Sequence, residues 1–113
     1  VRCHDTGALY ALKEMNKLRI ITKKRLNTVL NEAQILRKCD YPFCAKLHQV
    51  FSDETSTYFL IDILTGGELK FHLRRMPVIS HEVSQFWSAC LVLGIAYLHS
   101  RNVIHRDIKP SNA

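Results

Sequence analysis

The chain has 113 residues, 47% of them hydrophobic and 23% charged, with a formal net charge of +6. This is the composition of a globular domain, and its basic balance favours anionic partners such as nucleotides, nucleic acids, phosphorylated groups or acidic lipids. Unbroken apolar stretches such as residues 58–61 and 95–98 are too short to cross a bilayer, so the sequence predicts no transmembrane segment.

The four cysteines, Cys3, Cys39, Cys44 and Cys90, form no CxxC pair and no regular framework. They predict free thiols in a reducing compartment, and we therefore expect an intracellular, cytoplasmic location. Cys39 and Cys44 could join His48 as three zinc ligands. The fourth ligand and the usual ligand spacing are missing, so the sequence predicts no zinc site.

The first part of the chain predicts a hairpin followed by a helix. An Asp-Thr-Gly turn at residues 5–7 precedes an apolar run at residues 8–12, which indicates a hairpin whose second strand carries Lys13. Apolar residues then recur at helical spacing over residues 26–36. Pro42 disfavours helix in the residue before it and ends that pattern.

Two further strands and a break come next. Residues 45–51 predict a strand, residues 52–54 a polar turn, and residues 57–64 a nearly continuous apolar strand of the type that is buried on both faces. The Gly66-Gly67 pair then interrupts the pattern. We take this interruption as the boundary between two parts of the chain, residues 1–64 and 65–113.

The second part is predicted to be helical. A short helix is expected over residues 68–74 and a longer one over residues 80–100, with Ser80 as its N-cap and Glu82 in the first turn. The longer helix carries a wide apolar stripe that we expect to face a core. The stripe consists of Val83, Phe86, Trp87, Cys90, Leu91, Ile95 and Leu98.

The last residues carry an acid, a cation and an amide at short spacing. A carboxylate without a local partner, such as Asp107, can accept a proton from an attacking hydroxyl. Lys109, two residues on in an extended loop, would point to the other side and place its charge beside a phosphoryl group, while Asn112 offers a neutral oxygen to Mg²⁺. The segment HRDIKPSN matches the kinase catalytic-loop pattern H-R-D-L-x-x-x-N, with Ile108 in place of Leu.

An independent pair of residues fits the same chemistry. Ala11 and Lys13 share one face of the predicted strand, so the small Ala11 leaves room for an adenine ring while Lys13 reaches the phosphates. Glu32 adjoins the apolar stripe of the first long helix. A carboxylate there normally has a cationic partner, and Lys13 is the obvious candidate.

With these motifs the chain resembles the eukaryotic protein kinases over essentially its whole length, which implies an α+β, two-lobe kinase-like fold that is incomplete. Lys109-Pro110 resembles the serine/threonine branch. The segments Leu-Asn-Glu at 30–32, Tyr-Pro-Phe at 41–43, Gly-Gly-Glu-Leu at 66–69 and His-Leu-Arg-Arg at 72–75 resemble the AGC group. His105, where many AGC members have Tyr, is similar to the YANK-type kinases.

The resemblance implies ATP, Mg²⁺ and a protein substrate, and it assigns the nucleotide contacts. Lys13 would hold the α- and β-phosphates and Glu32 would position Lys13. Ile61 would be the gatekeeper behind the adenine, and backbone groups of Asp62 and Leu64 would bind its edge. Glu68 would reach the ribose or a basic substrate residue.

It also assigns the reacting groups. Asp107 would be the catalytic base, Lys109 the γ-phosphate contact and Asn112 a Mg²⁺ ligand, while Arg106 would meet a phosphorylated activation loop. Ser111 stands where strongly basophilic AGC kinases often carry Glu, which argues against a preference for Arg-rich substrates.

By the same resemblance Val1 would fall in the second strand of the kinase fold and Ala113 before the DFG segment. We therefore expect the 113 residues to be a fragment from strand 2 to the catalytic loop, with no kinase activity of its own. Regulatory domains outside the fragment are compatible with this view.

Three alternatives remain at this stage. A pseudokinase or regulatory binding module would be decided by the DFG residue, which the sequence does not include. A small-molecule phosphotransferase of the aminoglycoside-kinase type shares an Asp-x4-Asn loop. A nucleic-acid-binding domain is suggested by a basic run without interleaved aromatic residues, and we do not expect it. That run consists of Lys17, Arg19, Lys23, Lys24 and Arg25.

Overall fold

The computed structural model describes all residues from Val1 to Ala113. The elements in chain order are β1 (Tyr10–Asn16), α1 (Lys17–Thr22), α2 (Leu26–Lys38), β2 (Leu47–Ser52), β3 (Ser56–Asp62), α3 (Leu69–Arg75) and α4 (His81–Ser100). The chain divides into two compact units. The first comprises Val1–Asp40 and Cys44–Ile63, and the second comprises Tyr41–Phe43 and Leu64–Ala113. These units differ from the predicted ranges 1–64 and 65–113 at Leu64 and at the segment Tyr41–Phe43.

The first unit is built on an antiparallel three-stranded sheet in the order β1-β3-β2. The most apolar strand, β3, is central, and Phe59 at its middle is 1% exposed. Leu47 on β2 is also buried. The apolar run thus becomes the central strand, and each of its residues is buried or half-buried, which agrees with the predicted cover on both faces.

The N-terminal hairpin has a very short first arm. Gly7, at a φ of +71°, completes the turn, and the Cys3 amide donates to the Ala8 carbonyl at 2.8 Å. Arg2 and Leu9 form only an isolated bridge. The second strand starts at Tyr10 rather than residue 8 and continues to Asn16, because it pairs with β3 along that whole length.

Helix α1 was not predicted. Its sequence, KLRIIT, has two β-branched isoleucines and a threonine, which lower helix propensity. The helix forms because the Asn16 side chain caps it, accepting from the Arg19 amide at 3.1 Å. Lys24 in the left-handed region, at a φ of +52°, then separates it from α2. Helix α2 itself confirms the predicted one and runs two residues further.

The hairpin between β2 and β3 is shifted slightly from the predicted strands. Asp53 organises its turn by accepting from the Thr55 amide at 2.7 Å, the Ser56 amide at 2.8 Å and the Tyr58 hydroxyl at 2.7 Å. These bonds hold the pKa of Asp53 well below its usual range, with the Tyr58 hydroxyl as the main cause. The strand predicted to reach Leu64 ends at Asp62, which pairs with Tyr10, the first residue of β1.

The second unit is built around α4. Ser80 caps this helix as predicted, accepting from the Val83 amide at 3.3 Å. Tyr41 joins the unit by stacking on Tyr97, with ring centroids 4.6 Å apart. The predicted stripe is only partly covered: Phe86 is 65% exposed, and the one buried residue of the helix is Gly94.

Gly94 allows a close approach of the segment Tyr41–Phe43 to α4. A Cβ at this position would lie 3.1 Å from the Phe43 carbonyl oxygen and 3.5 Å from its Cβ. We expect Gly94→Val to destabilise the protein by about 1–3 kcal/mol, because a branched side chain would push backbone apart in a packed site. Urea unfolding of the full-length protein measures this loss. Gly66→Val is the matched control, since its Cβ would meet nothing within 4 Å, and an equal loss in both variants would contradict the prediction.

Candidate functional site

In the first unit, Lys13 and Glu32 form the ion pair expected from the sequence. The Lys13 Nζ lies 2.6 Å from the Glu32 Oε1, and both side chains are partly exposed. The Lys13 Nζ also lies 5.8 Å from the centroid of the Phe59 ring. Strand β1 therefore presents an amine that is oriented by a carboxylate on α2 and supported by the buried aromatic core.

The neighbours of Lys13 on the sheet are small or apolar. Ala11 is paired with Ile61, and Lys13 with Phe59, in the register of β1 and β3. Since paired residues of adjacent strands and alternate residues of one strand share a face, all four lie on the same face of the sheet. This face combines a small residue, an apolar side chain and a fixed cation.

Asp62, at the end of β3, is held to β2 by its side chain and its backbone. Its carboxylate accepts from the Lys46 amide at 2.8 Å and contacts the His48 Nε2 at 2.6 Å, while its own amide donates to the Lys46 carbonyl at 3.1 Å. The hydrogen bond to His48 is the main cause of the lowered pKa of Asp62, followed by the Lys46 amide. Because the Asp62 amide is committed to β2, a ligand contact from its backbone would come from the carbonyl. No pattern in the sequence indicates the pairing of His48 with Asp62.

The other two residues expected around the nucleotide lie in the second unit. Leu64 is 74% exposed and outside any strand. Glu68 occupies the N-cap position of α3, where its carbonyl accepts from the Phe71 amide at 2.9 Å. Glu68 also lines a surface groove of about 640 Å³, together with Thr65, Gly66, Gly67, Lys70, Phe71, Arg74 and Arg75.

The C-terminal segment of the second unit gathers the three predicted groups around one carboxylate. The Asp107 Oδ2 accepts from the Lys109 Nζ at 2.8 Å and from the Asn112 Nδ2 at 2.8 Å. The Asn112 Nδ2 also contacts the Asp107 carbonyl at 2.9 Å. The expectation that Asp107 lacks a local partner and that Lys109 points away along an extended loop is therefore wrong. The segment is turned rather than extended, because the Asn112 amide bonds to the Lys109 carbonyl at 2.8 Å.

These contacts set the chemistry of Asp107. Its pKa is lowered, mainly by the hydrogen bond from Lys109 and then by that from Asn112, so the carboxylate stays ionised at neutral pH. Both donors use Oδ2, which leaves Oδ1 to accept a hydrogen bond from a substrate. Asn112 spends its amide nitrogen on Asp107, so its amide oxygen is the atom that suits Mg²⁺.

The loop is anchored to the start of α3. The Lys70 amide donates to the Pro110 carbonyl at 2.7 Å, and the Leu69 amide donates to the Ala113 carbonyl at 2.7 Å. Two amides of the first helical turn, which have no partner within a helix, are satisfied in this way. Arg106 adopts a φ of +66°, in the left-handed region, next to Asp107. The part of the loop that follows Lys109 is thus held against α3 by two backbone hydrogen bonds.

Other features of the chain bear on its class. No group of three or more His, Cys, Asp or Glu side chains is arranged to hold a metal ion. Mg²⁺ in phosphoryl-transfer sites is held by one or two protein groups together with substrate phosphates, so Asn112 remains compatible with it.

No cysteine is linked to another cysteine by a disulfide. No helix combines the length and the hydropathy that a bilayer-spanning segment needs.

Comparison with known proteins gives matches over nearly the whole chain. The family described as protein kinase domain matches residues 1–113. A probable serine/threonine-protein kinase of Dictyostelium discoideum is 40% identical over 96% of this chain and 24% of its own length. The cAMP-dependent protein kinase catalytic subunit of the same organism is 36% identical over 94% of the chain and 16% of its length. Serine/threonine-protein kinase 32C of Mus musculus is 34% identical over 99% of the chain and 23% of its own length.

The chain therefore spans less than a quarter of the length of each of these relatives. A three-stranded antiparallel sheet together with helices is what an incomplete kinase-like α+β fold contains, and that expectation is confirmed. The match of all 113 residues to one family shows that the chain belongs to the protein kinase domain family.

Proposed function

We propose that the protein containing this chain is a serine/threonine kinase that transfers the γ-phosphate of ATP to serine or threonine hydroxyls of proteins. The observation that carries the proposal is the cluster of Lys109 and Asn112 around the Asp107 carboxylate. A cation and an amide that both hydrogen-bond to one carboxylate are the groups that phosphoryl transfer uses for positioning and charge neutralisation.

The nucleotide side of the proposal rests on the sheet face of the first unit. Lys13 would bind the α- and β-phosphates, and Glu32 would keep its amine in place. Ala11 and Ile61 would contact the adenine, and backbone groups at Asp62 and Leu64 would bind the adenine edge. Glu68 would contact the ribose or a basic substrate residue.

In the transfer step, Asp107 accepts a hydrogen bond from the substrate hydroxyl through Oδ1 and orients its oxygen towards the γ-phosphorus. A new bond forms between that oxygen and phosphorus, the bond from phosphorus to the leaving ADP breaks, and the proton passes to the carboxylate. Lys109 offsets the negative charge of the phosphoryl oxygens. Mg²⁺, held in part by the Asn112 amide oxygen, would neutralise the phosphate charge.

We assign the protein to the AGC group, which includes the cyclic-nucleotide-dependent kinases. The Gly-Gly-Glu-Leu segment at 66–69 supports this assignment, and so do relatives named as cAMP-dependent, cGMP-dependent and RAC family kinases. His105 favours a YANK-type member, and Arg106 would bind a phosphorylated activation loop. Four cysteines that form no disulfide support an intracellular, cytoplasmic location.

Lys13→Met in the full-length protein tests the nucleotide side. We expect kcat/KM for ATP to fall roughly 10- to 100-fold, the effect of losing a hydrogen bond between charged groups. Lys17→Met is the matched control: Lys17 also bonds locally, to the Asp53 carbonyl, and its loss should leave kcat/KM within about twofold, as is usual for a surface substitution.

The two variants are compared by steady-state phosphate transfer at varied ATP. Equal activity of Lys13→Met and the unmodified protein would refute the assignment of Lys13. Tight ATP binding by a full-length protein that transfers no phosphate would instead identify a nucleotide-binding regulatory module.

A further inference from the structure

We propose that His48 is a positioning residue that fixes the adenine-binding end of β3 through the carboxylate of Asp62. This inference rests on the proposed function and deepens it, since it concerns the same nucleotide site. It assigns a role to a side chain on β2 that the proposed reaction does not otherwise use.

The bonds around Asp62 are the first support. This last residue of β3 makes three bonds at the start of β2: its carboxylate binds the His48 Nε2 and the amide of Lys46, the residue before the strand, and its own amide donates to the Lys46 carbonyl. The contact to His48, at 2.6 Å, is shorter than the other two, at 2.8 and 3.1 Å. Only the His48 bond joins two side chains, so only this bond depends on the residue type at position 48.

A β-bulge places His48 within reach of Asp62. The pairing Val50↔Phe59, continued without interruption, would set His48 opposite Ile61. The register instead shifts between Leu47 and Gln49, so that Leu47 pairs with Ile61 and His48 is the extra residue. Bulges redirect a side chain in this way. The backbone irregularity is thus what brings the imidazole to the carboxylate.

The His48 ring is also held from β1. Tyr10 meets it edge to face, with ring centroids 4.8 Å apart and an interplanar angle of 68°. Tyr10 is in turn the register partner of Asp62. The imidazole is therefore oriented by a neighbour on one strand while it bonds to a residue of another.

The charges nearby define which atom carries the proton. The Asp62 carboxylate can only accept, so Nε2 of His48 donates, whether the imidazole is neutral or protonated. Lys46, the adjacent cation, bonds through its Nζ to Asp40 at 2.9 Å. Nε2 of His48 is therefore the atom that donates to the Asp62 carboxylate.

A fixed Asp62 matters because the adenine-binding backbone begins there. The Asp62 carbonyl would accept from the adenine, and its orientation follows from the amide and carboxylate contacts of the same residue. Loss of the His48 bond would leave this end of the strand to be ordered during binding, and such ordering lowers affinity. The effect should appear in ATP affinity and not in turnover.

Two variants separate the hydrogen bond from ring packing. His48→Phe keeps a ring for Tyr10 and removes the donor, while His48→Gln keeps a donor for Asp62 and removes the ring. In the full-length protein we expect His48→Phe to raise KM for ATP about three- to tenfold with kcat nearly unchanged, the effect of one net hydrogen bond. His48→Gln should keep KM within about twofold of the unmodified protein, since its amide supplies the donor.

Competition by two fragments of ATP locates the effect. In His48→Phe the inhibition constant of adenosine should rise along with KM, while that of inorganic tripolyphosphate should stay unchanged. A normal KM in His48→Phe, or an equal rise in both variants, would overturn the proposal. A higher inhibition constant of tripolyphosphate in His48→Phe would also overturn the proposal. If the unmodified protein binds neither the adenosine part nor the triphosphate part of ATP, the proposed function itself fails. That result is distinct from the outcomes above, which concern the His48 variants.

Discussion

Replacing Asp107 by Asn should lower kcat for phosphate transfer by about 10²- to 10⁴-fold, the usual contribution of a general base. The variant keeps the size and hydrogen-bonding capacity of the side chain but cannot take up the substrate proton. The donors Lys109 and Asn112 still find an amide oxygen at this position, so the loop should keep its turn. The measurement is single-turnover transfer to a protein or peptide substrate at saturating ATP.

Asp40→Asn provides the control for Asp107→Asn. Asp40 is also an exposed acid that bonds a lysine, with its Oδ1 2.9 Å from the Lys46 Nζ, and it lies outside the proposed reacting groups. We expect the kcat of Asp40→Asn to stay within about twofold of that of the unmodified protein, as for most surface substitutions. The affinity for ATP should be unchanged in both variants. Retention of a tenth or more of the activity by Asp107→Asn would exclude its role as the base.

The residues of the site could be predicted to the extent that each lies on an element with a clear pattern. Lys13 follows an apolar run that becomes β1, and Glu32 lies on a helix with regular spacing, so their ion pair was predictable. The direction of Lys109 was not. We expected Asp107 and Lys109 on opposite sides, although even an extended strand puts residues two apart on the same side, and a loop obeys no fixed period. The turn at residues 109–112 depends on backbone bonds that the residue types do not specify.

The bonds of Asp62 could not be predicted for a related reason. They require the one-residue shift between Leu47 and Gln49, and β-bulges have no signature in an alternating pattern. Helix α1 was missed because half of its residues are β-branched and favour strands, while its capping residue, Asn16, is the last residue of β1. In the first case tertiary pairing overrides the local preference of the sequence, and in the second a local cap does so.

Phe59→Ala should lower the free energy of unfolding by about 3–5 kcal/mol, the cost of removing a buried phenylalanine from a packed core. Phe59 is 1% exposed at the middle of the central strand and is the largest fully buried side chain of the chain. A domain is typically stable by only about 5–15 kcal/mol, so one substitution would remove a large part of the total. The urea midpoint of the full-length protein measures the loss.

Phe51→Ala is the matched control for Phe59→Ala, because Phe51 lies on β2 of the same sheet and is 41% exposed. Its ring stacks on Tyr58, with centroids 5.4 Å apart, and we expect a loss of about 1 kcal/mol. Equal losses in both variants would contradict the assignment of Phe59 to the core. Because the Lys13 Nζ lies over the Phe59 ring, the core variant should also weaken ATP binding in whatever fraction remains folded. This coupling would show that the support of the proposed phosphate-binding amine extends from Glu32 into the interior of the sheet.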